Sequence, residues 1–292
     1  MNNVSVVTGA TGDMGRVVAA ELVARGDTVL LVVRNAERGR RIAAQLGFDR
    51  VEVFAADLTS PDDVHHLAGR ISARHPELHL LVNNAGAHFR TRDVNDLGVE
   101  LHVAVNFLAG FLLTERLLGA LKAGAPSRVV NVVSDAINDT RQVKLGRAPR
   151  PVSLEPFDDL TKVNPDQGFQ PFTAYARAKL LTVMNGYALA DRLADTGVTV
   201  NSVHPGVAAT GIVDDMIPSY AKAFRGMMTR GLLPPKEGAR AILHVATAPA
   251  LEGVSGRYFN RFDEARTPPV SHDRGLQQQV RDAAGAYLRR TV

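Results

Sequence analysis

Short segments that are apolar on both faces recur along this chain, each separated from the next by a longer stretch with helical character. They fall at residues 3–8, 28–33, 51–55, 78–82, 128–133 and 198–203, with a last short one near 257–259. A strand whose neighbouring side chains are all apolar must be covered on both faces. Helices between such strands supply that cover, and a parallel sheet is the arrangement that uses them. The expected helices occupy 14–25, 36–46, a stretch opened by Ser60 as cap and Pro61, 99–121 and 172–195. Gly26 and Gly47 stop the first two. The pattern predicts an α/β chain with one doubly wound, central parallel sheet of about seven strands flanked by helices.

Two segments break the rhythm. Residues 135–171 form an insertion carrying Pro149, Pro151, Pro156, Pro165 and Pro171. Residues 211–235 hold Met216, Ile217, Tyr220, Phe224, Met227, Met228, Leu232 and Leu233, and read as an apolar substrate lid. The tail 275–290 places Leu276, Val280, Ala284 and Leu288 at helical spacing, which packs on the domain or on a partner subunit. With no linker or repeat, residues 1–292 read as one domain.

At 45% hydrophobic residues the chain can bury a large core. It has no Cys, which excludes a disulfide framework, a thiolate metal site and a Cys nucleophile. Its net charge of +4 is modest, and Arg38, Arg40 and Arg41 form the one cluster, so no nucleic-acid partner is expected. The N-terminus lacks a signal-peptide pattern, and no uncharged apolar run approaches the ~20 residues a membrane span needs. A cytoplasmic protein without a membrane span is the expectation.

Between the first strand and first helix the chain reads Thr-Gly-Ala-Thr-Gly-Asp-Met-Gly, residues 8–15. Glycines there let a backbone turn approach a pyrophosphate at a helix N-terminus, the place a dinucleotide takes in a Rossmann domain. Gly9, Thr11, Gly12, Met14 and Gly15 are the candidate contacts. Arg34 and Asn35 follow the second strand, where the adenosine ribose lies. An acidic residue there would bind a free 2′-hydroxyl, whereas Arg34 suits a 2′-phosphate, so NADP(H) is expected in preference to NAD(H).

Tyr175 and Lys179 lie four residues apart in a helical stretch and share one face. There an ammonium can stabilise a phenolate, making the phenol a usable acid or base. Among the histidines, His88 and His102 are candidates to line a substrate pocket. His65 and His66 read as a solvated helix face, and His204 as structural.

In this order the motifs resemble the short-chain dehydrogenase/reductase superfamily over nearly the whole chain. Asp57 and Leu58 look like its adenine-contacting pair. Asn84, Ala85 and Gly86, in Asn-Asn-Ala-Gly, match the motif beside the cofactor. Asn106, Ser134, Tyr175 and Lys179 fall where the family keeps its catalytic tetrad. Pro205, Gly206, Val207 and Thr210 resemble the segment that binds the nicotinamide amide. The long gap between Ser134 and Tyr175 is similar to the retinol-dehydrogenase-like branch. Asp13 departs from the family turn, which has Gly there, and its charge would repel a pyrophosphate unless it faces solvent or caps the helix.

The resemblance implies hydride transfer between NADP(H) and a lipophilic ketone, aldehyde or alcohol. Tyr175 would be the acid or base, Ser134 a hydrogen-bond donor to the reacting oxygen, and Lys179 an electrostatic partner that lowers the phenol. Asn106 would hold a water that leads to Lys179. The family often forms dimers or tetramers, so a homo-oligomer is an expectation. Two other readings use the same fold: an isomerase or cyclase without net redox, and a non-catalytic nucleotide-binding regulator.

Overall fold

The computed structural model describes residues 3–141, 148–208, 211, 215 and 232–290. Eight strands form one sheet: β1 (Val4–Thr8), β2 (Thr28–Val33), β3 (Val51–Ala55), β4 (Leu80–Asn83), β5 (Ser127–Val132), β6 (Val198–His204), β7 (Arg257–Asn260) and β8 (Asp263–Glu264). Their spatial order is β3-β2-β1-β4-β5-β6-β7-β8. All neighbours are parallel except β7 and β8, which pair antiparallel. The seven expected strands are therefore present, and a two-residue eighth closes the edge.

The helices are α1 (Asp13–Ala24), α2 (Ala36–Leu46), α3 (Pro61–Arg74), α4 (Leu101–Ala123), α5 (Pro171–Arg192), α6 (Pro235–Thr247) and α7 (Arg274–Arg290). Ser60 caps α3 by accepting the Asp63 N–H, as its position predicts. α6 carries no expectation from the sequence reading, because its apolar positions follow directly on the segment read as a lid.

Strand alternation sorts the core into two layers. Val6, Leu30, Val32 and Phe54 face a cluster shared with α3, α4, α5 and α7. Val7, Val29, Leu31 and Val33 face the opposite cluster, shared with α1, α2 and α6. Each fully buried Leu, Val or Phe stabilises the fold by about 1.5–3 kcal/mol. Both layers are needed, because the strands are apolar on both sides.

The 135–171 insertion is not a loose excursion. Val152, Leu154, Phe157, Leu160 and Val163 are buried and join the larger core layer. α7 locks onto the same side: the Tyr287 hydroxyl donates to Asp159 at 3.2 Å, and Arg281 bridges Asn185 and Glu115 at 2.7 and 3.0 Å. The C-terminal tail thus packs on its own chain. The lid reading for 211–235 falls mostly outside the described residues.

α4 is 23 residues long and by length and composition alone could cross a membrane. Within its most apolar window 67% is buried inside the protein, which is how a core helix behaves. Its residues Ala104–Leu108 form a π-helical turn. That widened turn carries Asn106.

Candidate active site

β1 has β2 on one side and β4 on the other, so the strand order reverses there. Loops leaving the C-terminal ends of these strands diverge and open a crevice, the usual ligand position in such sheets. Thr8 and Asn84 tie its two walls together. The Thr8 hydroxyl accepts the N–H groups of Asn84 and Ala85 at 3.0 and 2.9 Å, and the Asn84 amide donates to the Thr8 carbonyl at 2.9 Å. Beneath them, the Asn83 amide donates to Thr114 and Asn131, both at 3.0 Å.

The glycine turn fits a dinucleotide. Gly9 has φ +65°, and a Cβ there would lie 2.9 Å from the Ala85 Cα. A Cβ on Gly15 would run into the Gly9 carbonyl. Gly12 starts α1 with no side-chain cap, so the first-turn N–H groups stay open to an anion. Met14 packs its sulfur against Gly238 of α6, leaving only its backbone at the turn. Thr11 and Gly9 are half-buried. Asp13 is exposed, and its carboxylate accepts the Gly211 N–H at 3.3 Å. It therefore takes the solvent-facing arrangement that the turn requires.

Arg34 is exposed at the end of β2, with no ion-pair partner among the described residues. Asn35 is spent differently from the expectation: its side chain caps α2 by accepting the Arg38 N–H at 2.8 Å. Asp57 accepts the Thr59 N–H and hydroxyl, both at 2.9 Å, beside half-buried Leu58. Gly86 continues the half-buried loop after Ala85. Pro205 and Gly206 follow β6, Gly206 at φ +90°, and Val207 is 53% exposed. Thr210 lies outside the described residues.

Three tetrad members meet. Tyr175 and Lys179 are buried one turn apart on α5, with the Lys179 Nζ 5.7 Å from the Tyr175 ring centroid. Ser134 follows β5, where its hydroxyl accepts the Ala136 N–H at 3.2 Å and lies close enough to the Tyr175 phenol to pull its pKa down. Burial pushes the phenol up to about 12, against the downward pull of Ser134. Lys179 does not bring it down: its Nζ donates to the Val132 carbonyl at 3.0 Å, and burial lowers the ammonium itself to about 8. The phenol therefore moves opposite to the lowering that the spacing suggests, because desolvation outweighs the pull of Ser134.

The fourth member, Asn106, is tied into the loop after β4. The Asn106 Oδ1 accepts the Ala87 N–H at 3.1 Å, and its Nδ2 donates to the carbonyls of Ala87 and His102 at 2.9 and 3.0 Å. Its backbone carbonyl accepts the Thr182 hydroxyl at 2.9 Å. The side-chain amide is occupied with the loop after β4 and the His102 carbonyl.

Sequence reasoning missed a fully buried carboxylate beside this loop. Glu100 has its Oε1 2.7 Å from the His102 Nδ1, and its Oε2 accepts from Asn164 at 2.8 Å. The His102 Nε2 accepts the Phe89 N–H at 3.0 Å, so the imidazole proton sits on Nδ1, facing Glu100. Burial alone would raise Glu100, but the bonds from His102 and Asn164 outweigh it and hold the carboxyl below its ordinary value. The spacing Glu-Leu-His carries no signal of this pairing in one dimension.

Comparisons with known proteins agree with this architecture. The short chain dehydrogenase family model matches residues 3–144. Retinol dehydrogenase 14 of Mus musculus is 32% identical over 95% of this chain and 83% of its own length. Polyprenol dehydrogenase of Mus musculus is 35% identical over 95% and 81%. A crystal structure of an uncharacterized protein from Mycobacterium Paratuberculosis superposes with a TM-score of 0.74 at 24% identity, covering 98% of this chain and 93% of that one, and shares the fold. From the strand order, the glycine turn and these relatives, the chain belongs to the short-chain dehydrogenase/reductase superfamily, in its retinol-dehydrogenase-like branch.

Proposed function

We propose that this chain is an NADP(H)-dependent oxidoreductase that reduces lipophilic ketones or aldehydes to alcohols. The observation that carries the reading is that Tyr175 and Lys179 lie buried one turn apart, Nζ 5.7 Å from the phenol ring centroid, with Ser134 beside the phenol at the end of β5. When bound, the reduced nicotinamide supplies a hydride. Tyr175 gives its proton to the carbonyl oxygen as the hydride reaches carbon. A phenol held near 12 is protonated at neutral pH, the form that can give up a proton. Ser134 hydrogen-bonds the same oxygen and shares its developing charge. Lys179 keeps a positive charge below the phenol at neutral pH.

Exposed Arg34 at the end of β2 supports a 2′-phosphate on the cofactor. The relatives named for retinol and polyprenol support a lipophilic substrate. The test follows NADPH oxidation by wild type and Tyr175→Phe against a panel of lipophilic ketones and aldehydes, with NADH in parallel. Turnover that vanishes in the variant is the expected result. Equal use of NADH would overturn the Arg34 argument. Tight nucleotide binding without turnover would move the reading to an isomerase or a regulator.

A further inference from the structure

His88 is out of place for a core residue. It is 7% exposed, and neither ring nitrogen has a hydrogen-bond partner among the described residues. A buried polar group without a partner is costly, and imidazoles held only by packing are normally satisfied. Its position is imposed from both sides. Ala87 before it is held by the Asn106 amide, and Phe89 after it donates its N–H to His102. His102 is in turn fixed by Glu100. This chain of buried bonds fixes the backbone on either side of the ring.

The imidazole is set edge-on to the Tyr175 ring, centroids 6.1 Å apart, and to the His102 ring at 5.3 Å. Tyr175 is itself only 5% exposed. His88 is therefore packed directly against the ring of the proposed acid, and both are shielded from water together. Burial, then the neighbouring His102, push the imidazole down to about 4, so it is neutral at pH 7 and carries one donor and one acceptor.

We propose that His88 recognises a second oxygen on the substrate. The ring hydrogen-bonds a hydroxyl or carbonyl next to the carbonyl that Tyr175 serves. Preferred substrates are then lipophilic molecules with two neighbouring oxygens, such as α-hydroxyketones, rather than simple ketones. This rests on the reductase reading and names the substrate class within it. A site built to bond a hydroxyl discriminates against the analogue that lacks it, because its own polar atoms are then left unpaired.

The test uses the full chain with NADPH and a matched pair: an alkyl aryl ketone and its α-hydroxy counterpart. Wild type is expected to favour the hydroxyketone by roughly tenfold or more in kcat/KM, chiefly through KM. His88→Phe and His88→Leu bring that ratio toward one, and His88→Gln, which keeps a donor and an acceptor, restores part of it. No preference in wild type, or a ratio that the variants leave unmoved, overturns the proposal. Should wild type consume NADPH with neither ketone, the reductase reading fails. Calorimetric binding of the hydroxyketone then decides this one: tighter binding to wild type than to His88→Phe supports it, and equal or no binding overturns it.

Discussion

Asn106 holds Ala87 on both sides of its Cα, accepting its N–H and donating to its carbonyl. A side-chain amide used this way does the work of a neighbouring strand for a loop that has none. Asn106→Leu, similar in volume, leaves both Ala87 groups without their partner. It should destabilise the protein by about 2–4 kcal/mol, each lost buried bond costing about 1–3. Urea denaturation checks this. Turnover should fall further than stability explains, because the loop carrying His88 shifts.

Tyr175→Phe removes one oxygen and keeps the ring that stacks on Phe172 at 6.4 Å. The fold and nucleotide affinity should survive. Turnover should fall by about 10²–10⁴, the usual contribution of a positioned acid. Steady-state kinetics beside a fluorescence titration with NADPH separates the two effects.

Lys179 gives the pH dependence. Its ammonium is held near 8, below the ordinary 10.5, because it is buried. The charge is present below about 8 and lost above it, so kcat/KM should decline on the alkaline side of pH 8. The stability sign is opposite. Between about 8 and 10.5 the unfolded chain binds the proton that the folded chain has shed, so this group's contribution to stability rises with pH. Lys179→Met should abolish turnover, leave stability at pH 7 equal or higher, and remove the rise in stability between about pH 8 and 10.5.

Glu100 works in the acid range. Its carboxyl lies below its ordinary 4.5 in the fold, so the stability it adds is complete above that value and disappears as pH falls through the depressed one. Glu100→Gln should cost about 3 kcal/mol at pH 7, as breaking a buried charged network does. It should cost much less in strong acid. Thermal melts of both proteins from pH 7 to pH 3 test the convergence.

Arg34→Asp should reverse cofactor choice. The loss for NADPH is expected to be about tenfold to a hundredfold in kcat/KM, with NADH use equal or improved. A variant with unchanged preference would show that Arg34 does not meet the 2′-phosphate.

The parallel sheet was readable because strands apolar on both faces leave no other economical burial, and Thr28–Val33 and Val51–Ala55 appear at the expected residues. The turn at Gly9 and the shared helix face of Tyr175 and Lys179 were readable because tight turns and helix spacing are local properties. What stayed hidden depends on partners distant in sequence. Thr8 reaches across 76 residues to Asn84, and Glu100 reaches 64 to Asn164. The direction of the Tyr175 shift was hidden for a related reason: spacing places a cation near a phenol, but only the packed structure shows how thoroughly both have been removed from water. α6 was missed because no element was assigned between the segment read as a lid, which ends at residue 235, and the last short strand.

The segment between Ser134 and Tyr175 joins two residues of the proposed site and, through Val152, Phe157 and Leu160, forms part of the interior. Site and foundation are therefore linked by one piece of chain. An exchange of this segment with a relative would be accepted only if it also brought a matching apolar underside. Divergence of substrate choice in this chain is then paced by repacking of the interior, and changes that keep the apolar footprint are the ones the fold will tolerate.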